Sequence, residues 1–191
     1  LPISRLERHP WVTALHPGVE ETLDGGDEYY AVPYSLAYAD ELAESSRLLF
    51  AAADDVREGD ADLADYFEAR ARDLLGNDYE AGDAAWVSGR FARLNAEVGA
   101  YETYDDHLLG QKAFHAVSIL VRAPEASAEL ERAVASLSDF EAALPGGPYE
   151  RVRGEIPIGI YDVLADYGQA RGGNTASILP NEAHITRKYG R

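Results

Sequence analysis

Two stretches of this chain carry residues whose types and spacing could do chemistry. One is Glu102-Thr103-Tyr104-Asp105-Asp106, followed by Lys112-Ala113-Phe114-His115; the other is Asn174-Thr175-Ala176-Ser177-Ile178-Leu179-Pro180-Asn181-Glu182. Read as a strand, Glu102 and Tyr104 stand two apart and share one face. A carboxylate beside a phenol suits the amino terminus and main chain of a peptide: the carboxylate complements an ammonium charge and the phenol donates a hydrogen bond. A surface glutamate next to a half-buried tyrosine is the bland alternative for the same pair.

Other reactive groups make weaker cases. The histidines are His9, His16, His107, His115 and His184, and none sits in an H-E-x-x-H helix. Asp105-Asp106-His107 invites a metal, but strand neighbours point to opposite faces, so a solvated loop or a cap competes with that reading. There is no G-x-S-x-G elbow. Gly168-Gln169-Ala170-Arg171-Gly172-Gly173 precedes a short strand rather than a helix, which argues against a phosphate cradle. Glu97 and Glu102 would serve acid–base work only where their environments separate their pKa values.

Composition narrows the partners. The chain has 191 residues, a hydrophobic fraction of 46% and a net charge of −17. A surface that acidic repels phosphate backbones, so nucleic acid is excluded as the expected partner. Absence of cysteine removes disulfides, thiol catalysis and zinc–thiolate sites and fits a cytoplasmic protein. No apolar run approaches a membrane span, and the N-terminus lacks a signal-peptide pattern. Leu1 is not a translation start, so an upstream piece is expected to have been removed.

The elements that position these residues are legible in outline. Pro2, Pro10, Pro17 and Pro33 make residues 1–34 an irregular arm, anchored by Trp11, Tyr29 and Tyr30. Residues 35–95 read as a helical subdomain. Leu42, Ser46, Leu49 and Ala53 form one stripe, and Leu63, Tyr66, Phe67, Ala71 and Leu74 another. Gly59-Asp60 joins the two as an antiparallel hairpin, with Asp60 an N-cap and Gly76-Asn77 a C-cap signal. Asp83 is expected to cap a third helix. Residues 96–191 read as an α+β portion. Strands are expected at 97–104, 113–121, 156–164 and 177–179. One helix is expected from Pro124 to Leu144. The fold class is therefore α+β, helices first.

At this point the sequence resembles the dipeptidyl peptidase III family of zinc metallopeptidases and its bacterial relatives. The resemblance rests on Asp78-Tyr79, Ala85-Trp86, Gly99-Ala100-Tyr101-Glu102-Thr103-Tyr104-Asp105-Asp106, Gly110-Gln111-Lys112-Ala113-Phe114, Arg122-Ala123-Pro124-Glu125, Leu144-Pro145, Gln169-Ala170-Arg171 and Leu179-Pro180-Asn181-Glu182, in that order over roughly residues 35–190. It implies one incomplete lobe of a two-lobed peptidase that removes dipeptides from peptide N-termini. The implied zinc ligands, an H-E-x-x-x-H helix and a later glutamate, lie in a C-terminal part of the same polypeptide and not in this chain. By position it implies peptide-substrate contacts for Glu102, Tyr104 and Asn181. His115 stands at a substrate-side position where the family carries glutamate, and Ile178 where it often carries asparagine. The chain alone is expected to be inactive. The alternative is a non-catalytic domain of the same ancestry that binds a peptide or small ligand.

Overall fold

The computed structural model describes residues 32–108, 110, 112–146, 158–171, 177, 181 and 183–189. The part of the expected arm that precedes Val32 lies outside them. Helix α1 (Tyr34–Ala37) leads into α2 (Ala39–Val56), α3 (Ala61–Gly76) and α4 (Glu80–Ser88). Strands β1 (Leu94–Glu102) and β2 (Phe114–Arg122) follow, then α5 (Pro124–Val134), α6 (Leu137–Ala142), β3 (Tyr161–Gly168) and α7 (Ala183–Tyr189). The three strands form an antiparallel sheet in the order β1-β2-β3. The architecture is α+β with its helices leading, as the sequence indicates. No helix among the described residues is long and apolar enough to cross a membrane.

The helix pair forms where its local chemistry requires. The Asp60 carboxylate accepts the Leu63 N–H at 3.0 Å, which satisfies one of the free donors of the first turn of α3. Asn77 ends that helix at φ +56°, a left-handed conformation that asparagine tolerates, and its N–H bonds to the Asp73 carbonyl. Pro124 stands at the first position of α5, where its missing N–H costs nothing.

Helices α2 and α3 cover one face of the sheet. Ala53 from α2, Leu63, Ala64, Tyr66 and Phe67 from α3, and Ala96 and Val98 from β1 form one buried cluster, with Val117 and Ile119 of β2 packed against it. Burying a Leu63- or Phe67-sized side chain contributes about 1.5–3 kcal/mol each, which is what fastens the helical layer to the strands. The Tyr66 hydroxyl accepts the Val98 N–H at 3.1 Å, so the core also satisfies a polar group of the strand beneath it.

Several boundaries differ from the sequence reading. The first strand starts earlier and stops at Glu102, so Tyr104 lies in the turn that follows. The helix expected up to Leu144 is two helices, interrupted at Ala135-Ser136. Asp83 is not a cap: it lies inside α4 and is buried. The third strand runs to Gly168 rather than stopping at Leu164. Ser177 is not in a strand, and Ile178 and Leu179 lie outside the described residues.

Candidate functional site

The last turn of β1 gathers the polar groups that the sequence singles out. A register shift between Ala100 and Glu102 bulges the strand end and places Glu102 opposite Phe114. Bulges of this kind re-aim side chains. Although Tyr104 has left the strand, its hydroxyl hydrogen-bonds to Glu102, and that carboxylate holds the phenol above its ordinary pKa. Asn181 closes the third side. Its amide nitrogen lies 3.5 Å from a Glu102 carboxylate oxygen and 3.5 Å from the Tyr101 carbonyl. Tyr104 is 78% exposed, so the group opens to solvent.

The neighbouring loop is organised by Asp106. Its carboxylate accepts the Leu108 N–H at 3.1 Å and the Lys112 N–H at 2.8 Å, while Gly110 takes the positive φ that the turn requires. The Asp105-Asp106-His107 run is thus loop chemistry. Among the described residues no group of three or more His, Asp or Glu side chains is placed to hold a metal ion.

Along the same strand, Glu97 accepts a hydrogen bond from Ser177 at 2.9 Å. Burial, reinforced by the charge of Asp166, pushes the Glu97 carboxyl above its ordinary pKa. The two described residues of the Asn174–Glu182 stretch therefore touch β1 at its middle and at its end. The face that bears Glu97, Ser118 and Asp166 in one cross-strand row is polar.

His115 lies elsewhere. It pairs with Ala100, while its neighbour Phe114 pairs with Glu102; adjacent residues of β2 alternate faces, so His115 and Glu102 look to opposite sides of the sheet. The imidazole packs on Tyr34 at 4.9 Å between ring centroids and lies 3.2 Å from the Tyr79 hydroxyl. Burial lowers its pKa, which favours the neutral ring. It does not join Glu102, Tyr104 and Asn181.

What fixes the strand end is a buried charge cluster that sequence reasoning missed. Arg70 of α3 is fully buried. Its Nη2 donates to an Asp83 oxygen at 2.6 Å and to the Tyr101 hydroxyl at 2.6 Å, and Tyr101 donates in turn to the same Asp83 oxygen at 2.7 Å. Asp73 lies 3.2 Å from Nη1 and accepts the Gly82 N–H at 2.9 Å. The rings of Tyr66, Tyr79 and Tyr101 stand 5.1–5.6 Å from the guanidinium carbon. Burial opposes the Arg70 charge, yet the surrounding phenol and carboxylate oxygens outweigh it and raise its pKa further. Burial outweighs the Arg70 charge at Asp73, whose carboxyl is pushed up to about 6. Tyr101 immediately precedes Glu102, so α3 and α4 grip β1 one residue before the candidate site. The available signal was an arginine on the apolar stripe of α3, between Phe67 and Leu74.

Comparison with known proteins places this geometry in context. No protein-family model matches the chain. A curated plant protein, Nudix hydrolase 3 of Arabidopsis thaliana, is 29% identical over 170 residues, which is 87% of this chain and 22% of that protein. Dipeptidyl peptidase III from Caldithrix abyssi superposes with a TM-score of 0.76 at 26% identity over 96% of this chain. The dipeptidyl-peptidase III of Corallococcus sp. strain EGB gives 0.70 at 30% identity over 97%. This chain spans 37% of each of those two structures. Over nearly all of its length it is similar in fold and sequence to one part of dipeptidyl peptidase III.

Proposed function

We propose that this chain is the substrate-facing part of a dipeptidyl peptidase III-like peptidase. Glu102 receives the peptide ammonium group, while Tyr104 and Asn181 hold the main chain. The observation that carries this reading is the convergence of a carboxylate, a phenol and an amide at the exposed end of β1, on a chain that matches dipeptidyl peptidase III structures over its length. Together the three groups offer one negative charge, acceptor oxygens and N–H and O–H donors, which a peptide amino terminus and its first carbonyl complement. The described residues do not fit a zinc ion. In this reading zinc is held by a C-terminal part of the parent polypeptide, and the present chain binds and orients without hydrolysing.

The test is zinc content together with dipeptide-naphthylamide cleavage, on the intact gene product and on this chain in parallel. About one zinc and cleavage in the intact product alone is the expected result. No zinc and no cleavage in either favours the second reading, a non-catalytic peptide-binding domain. That second reading draws on His115, an imidazole that lies on the far face of the sheet and adds no carboxylate beside Glu102 for the ammonium group.

A further inference from the structure

A buried ion network contributes little stability over an apolar core of the same volume; what it can supply is a fixed geometry. The network around Arg70 reaches β1 through Tyr101. That residue is the extra one of the β1 bulge, since Ala100 pairs with His115 and Glu102 pairs with Phe114. A bulged residue stands outside the regular ladder, so the contacts of its side chain decide how the strand turns there. Burial holds the Tyr101 phenol well above its ordinary pKa. The neutral hydroxyl therefore accepts from Arg70 at 2.6 Å and donates to Asp83 at 2.7 Å, which fixes its direction.

The ring is held along its length as well. It lies across Gly99, where a Cβ would come within 2.5 Å of the Tyr101 Cε2 atom. On the backbone side, the Tyr101 carbonyl and the Glu102 carboxylate share one donor: the Asn181 amide nitrogen stands 3.5 Å from each. A turn of Tyr101 about the strand would carry its carbonyl and, one residue on, Glu102 away from Asn181. It would also withdraw Glu102 from the Tyr104 hydroxyl that donates to it. Charge balance does not require the Tyr101 hydroxyl, because Arg70 and Asp83 also pair directly at 2.6 Å. Loss of the hydroxyl thus frees the bulge and leaves the ion pair in place.

We propose that Tyr101 is a positioning residue for recognition of the peptide amino terminus: its locked hydroxyl sets the bulge so that the Glu102 carboxylate faces Tyr104 and Asn181. The inference deepens the peptide-binding reading and rests on it for what Glu102 receives. The placement of Glu102 by Tyr101 needs no ligand and can be read without one.

The experiment has two readouts. One is the titration of Tyr104, followed by nuclear magnetic resonance in chain labelled at its tyrosine rings and assigned with Tyr104→Phe. The other is the affinity for a short peptide with a free amino terminus against its N-acetylated form. In wild type the Glu102 carboxylate holds the Tyr104 phenol above its ordinary pKa. Tyr101→Phe keeps the ring and the Arg70–Asp83 pair. It should let the Tyr104 pKa fall toward its value in Glu102→Gln. It should also cut the preference for the free peptide roughly three- to tenfold, the effect of one lost hydrogen bond. Gly99→Ala retains every hydrogen-bonding group and displaces only the ring; it should act the same way and serves where Tyr101→Phe fails to fold. Tyr79→Phe removes the hydroxyl that meets His115, beside the same guanidinium, and should change neither readout. A merely structural role for Tyr101 would lower the melting temperature and leave both readouts where they are. A Tyr104 titration unchanged in Tyr101→Phe and Gly99→Ala, or a wild-type peptide preference that both variants retain in full, overturns the proposal. If the titration shifts while wild type binds the two peptides equally, Tyr101 still positions Glu102 and it is the ammonium reading of Glu102 that falls.

Discussion

Replacing Arg70 by methionine keeps much of the side-chain volume and removes the charge. Asp73 and Asp83, each 4% exposed, would then remain buried without their cation. Removing one partner of a buried ion pair costs about 3–5 kcal/mol, far more than the pair contributes against an apolar substitute, because an uncompensated charge stays behind. The upper half of that range applies here, since two carboxylates and the Tyr101 hydroxyl lose the same guanidinium. A domain of this kind holds about 5–15 kcal/mol in total, so the variant should sit near the edge of folding. Urea unfolding at pH 7, followed by circular dichroism and by tryptophan fluorescence to check two-state behaviour, measures the loss. Replacing Asp83 by leucine in the Arg70→Met background should recover part of it, because one orphaned charge is gone. A loss below about 1 kcal/mol for Arg70→Met, or no recovery in the double variant, would refute the view that this cluster anchors β1.

The remaining predictions concern pH, the β3 turn and the outer strand. With the Asp73 carboxyl pushed up to about 6, its contribution to stability is fully present below about pH 4 and is lost as pH rises through 6; relative to Asp73→Asn, wild type should lose up to about 3 kcal/mol between those limits, and a flat difference in melting profiles would contradict this. Gly168→Ala should destabilise by at least about 1–3 kcal/mol, because its Cβ meets backbone at a positive φ; denaturant midpoints within error of wild type would contradict it. Among the described residues β3 is an outer strand, with Leu164 62% exposed and Val163 and Tyr167 also open. Leu164→Lys should therefore reduce concentration-dependent self-association in sedimentation velocity, and a wild type that stays monomeric at all concentrations rules out that edge as a contact.

The sequence carried the helix pair and the first two strands well, because those features depend on neighbours in the chain. Asp60 as a cap, Asn77 as a left-handed stop and the 3–4 spacing of Leu63, Tyr66, Phe67, Ala71 and Leu74 are decided within one or two turns. Of the site, the proximity of Glu102 and Tyr104 was legible as a two-residue spacing, although a bulge and a turn achieve it rather than a continuous strand. The approach of Asn181 to Glu102 came only with the resemblance, since it joins residues far apart in the chain. The resemblance puts His115 beside them, whereas sheet register turns it to the helices. Asp83 illustrates the limit most clearly. Its local context reads as a cap, but a fully buried arginine thirteen positions earlier claims its carboxylate, and a pairing across two helices has no local signature. The amide of Gln169, buried and without a hydrogen-bond partner among the described residues, is equally invisible in sequence, because its isolation depends on everything packed around it.

The most direct test of the central claim compares a short peptide bearing a free amino terminus with its N-acetylated form, titrated into this chain by calorimetry. If Glu102 receives the ammonium group, the free peptide should bind roughly ten- to a hundredfold more tightly, the range of a charged hydrogen bond of about 1.5–3 kcal/mol, and Glu102→Gln should erase the difference. Equal affinity for both peptides, or a preference that survives Glu102→Gln, would contradict the account.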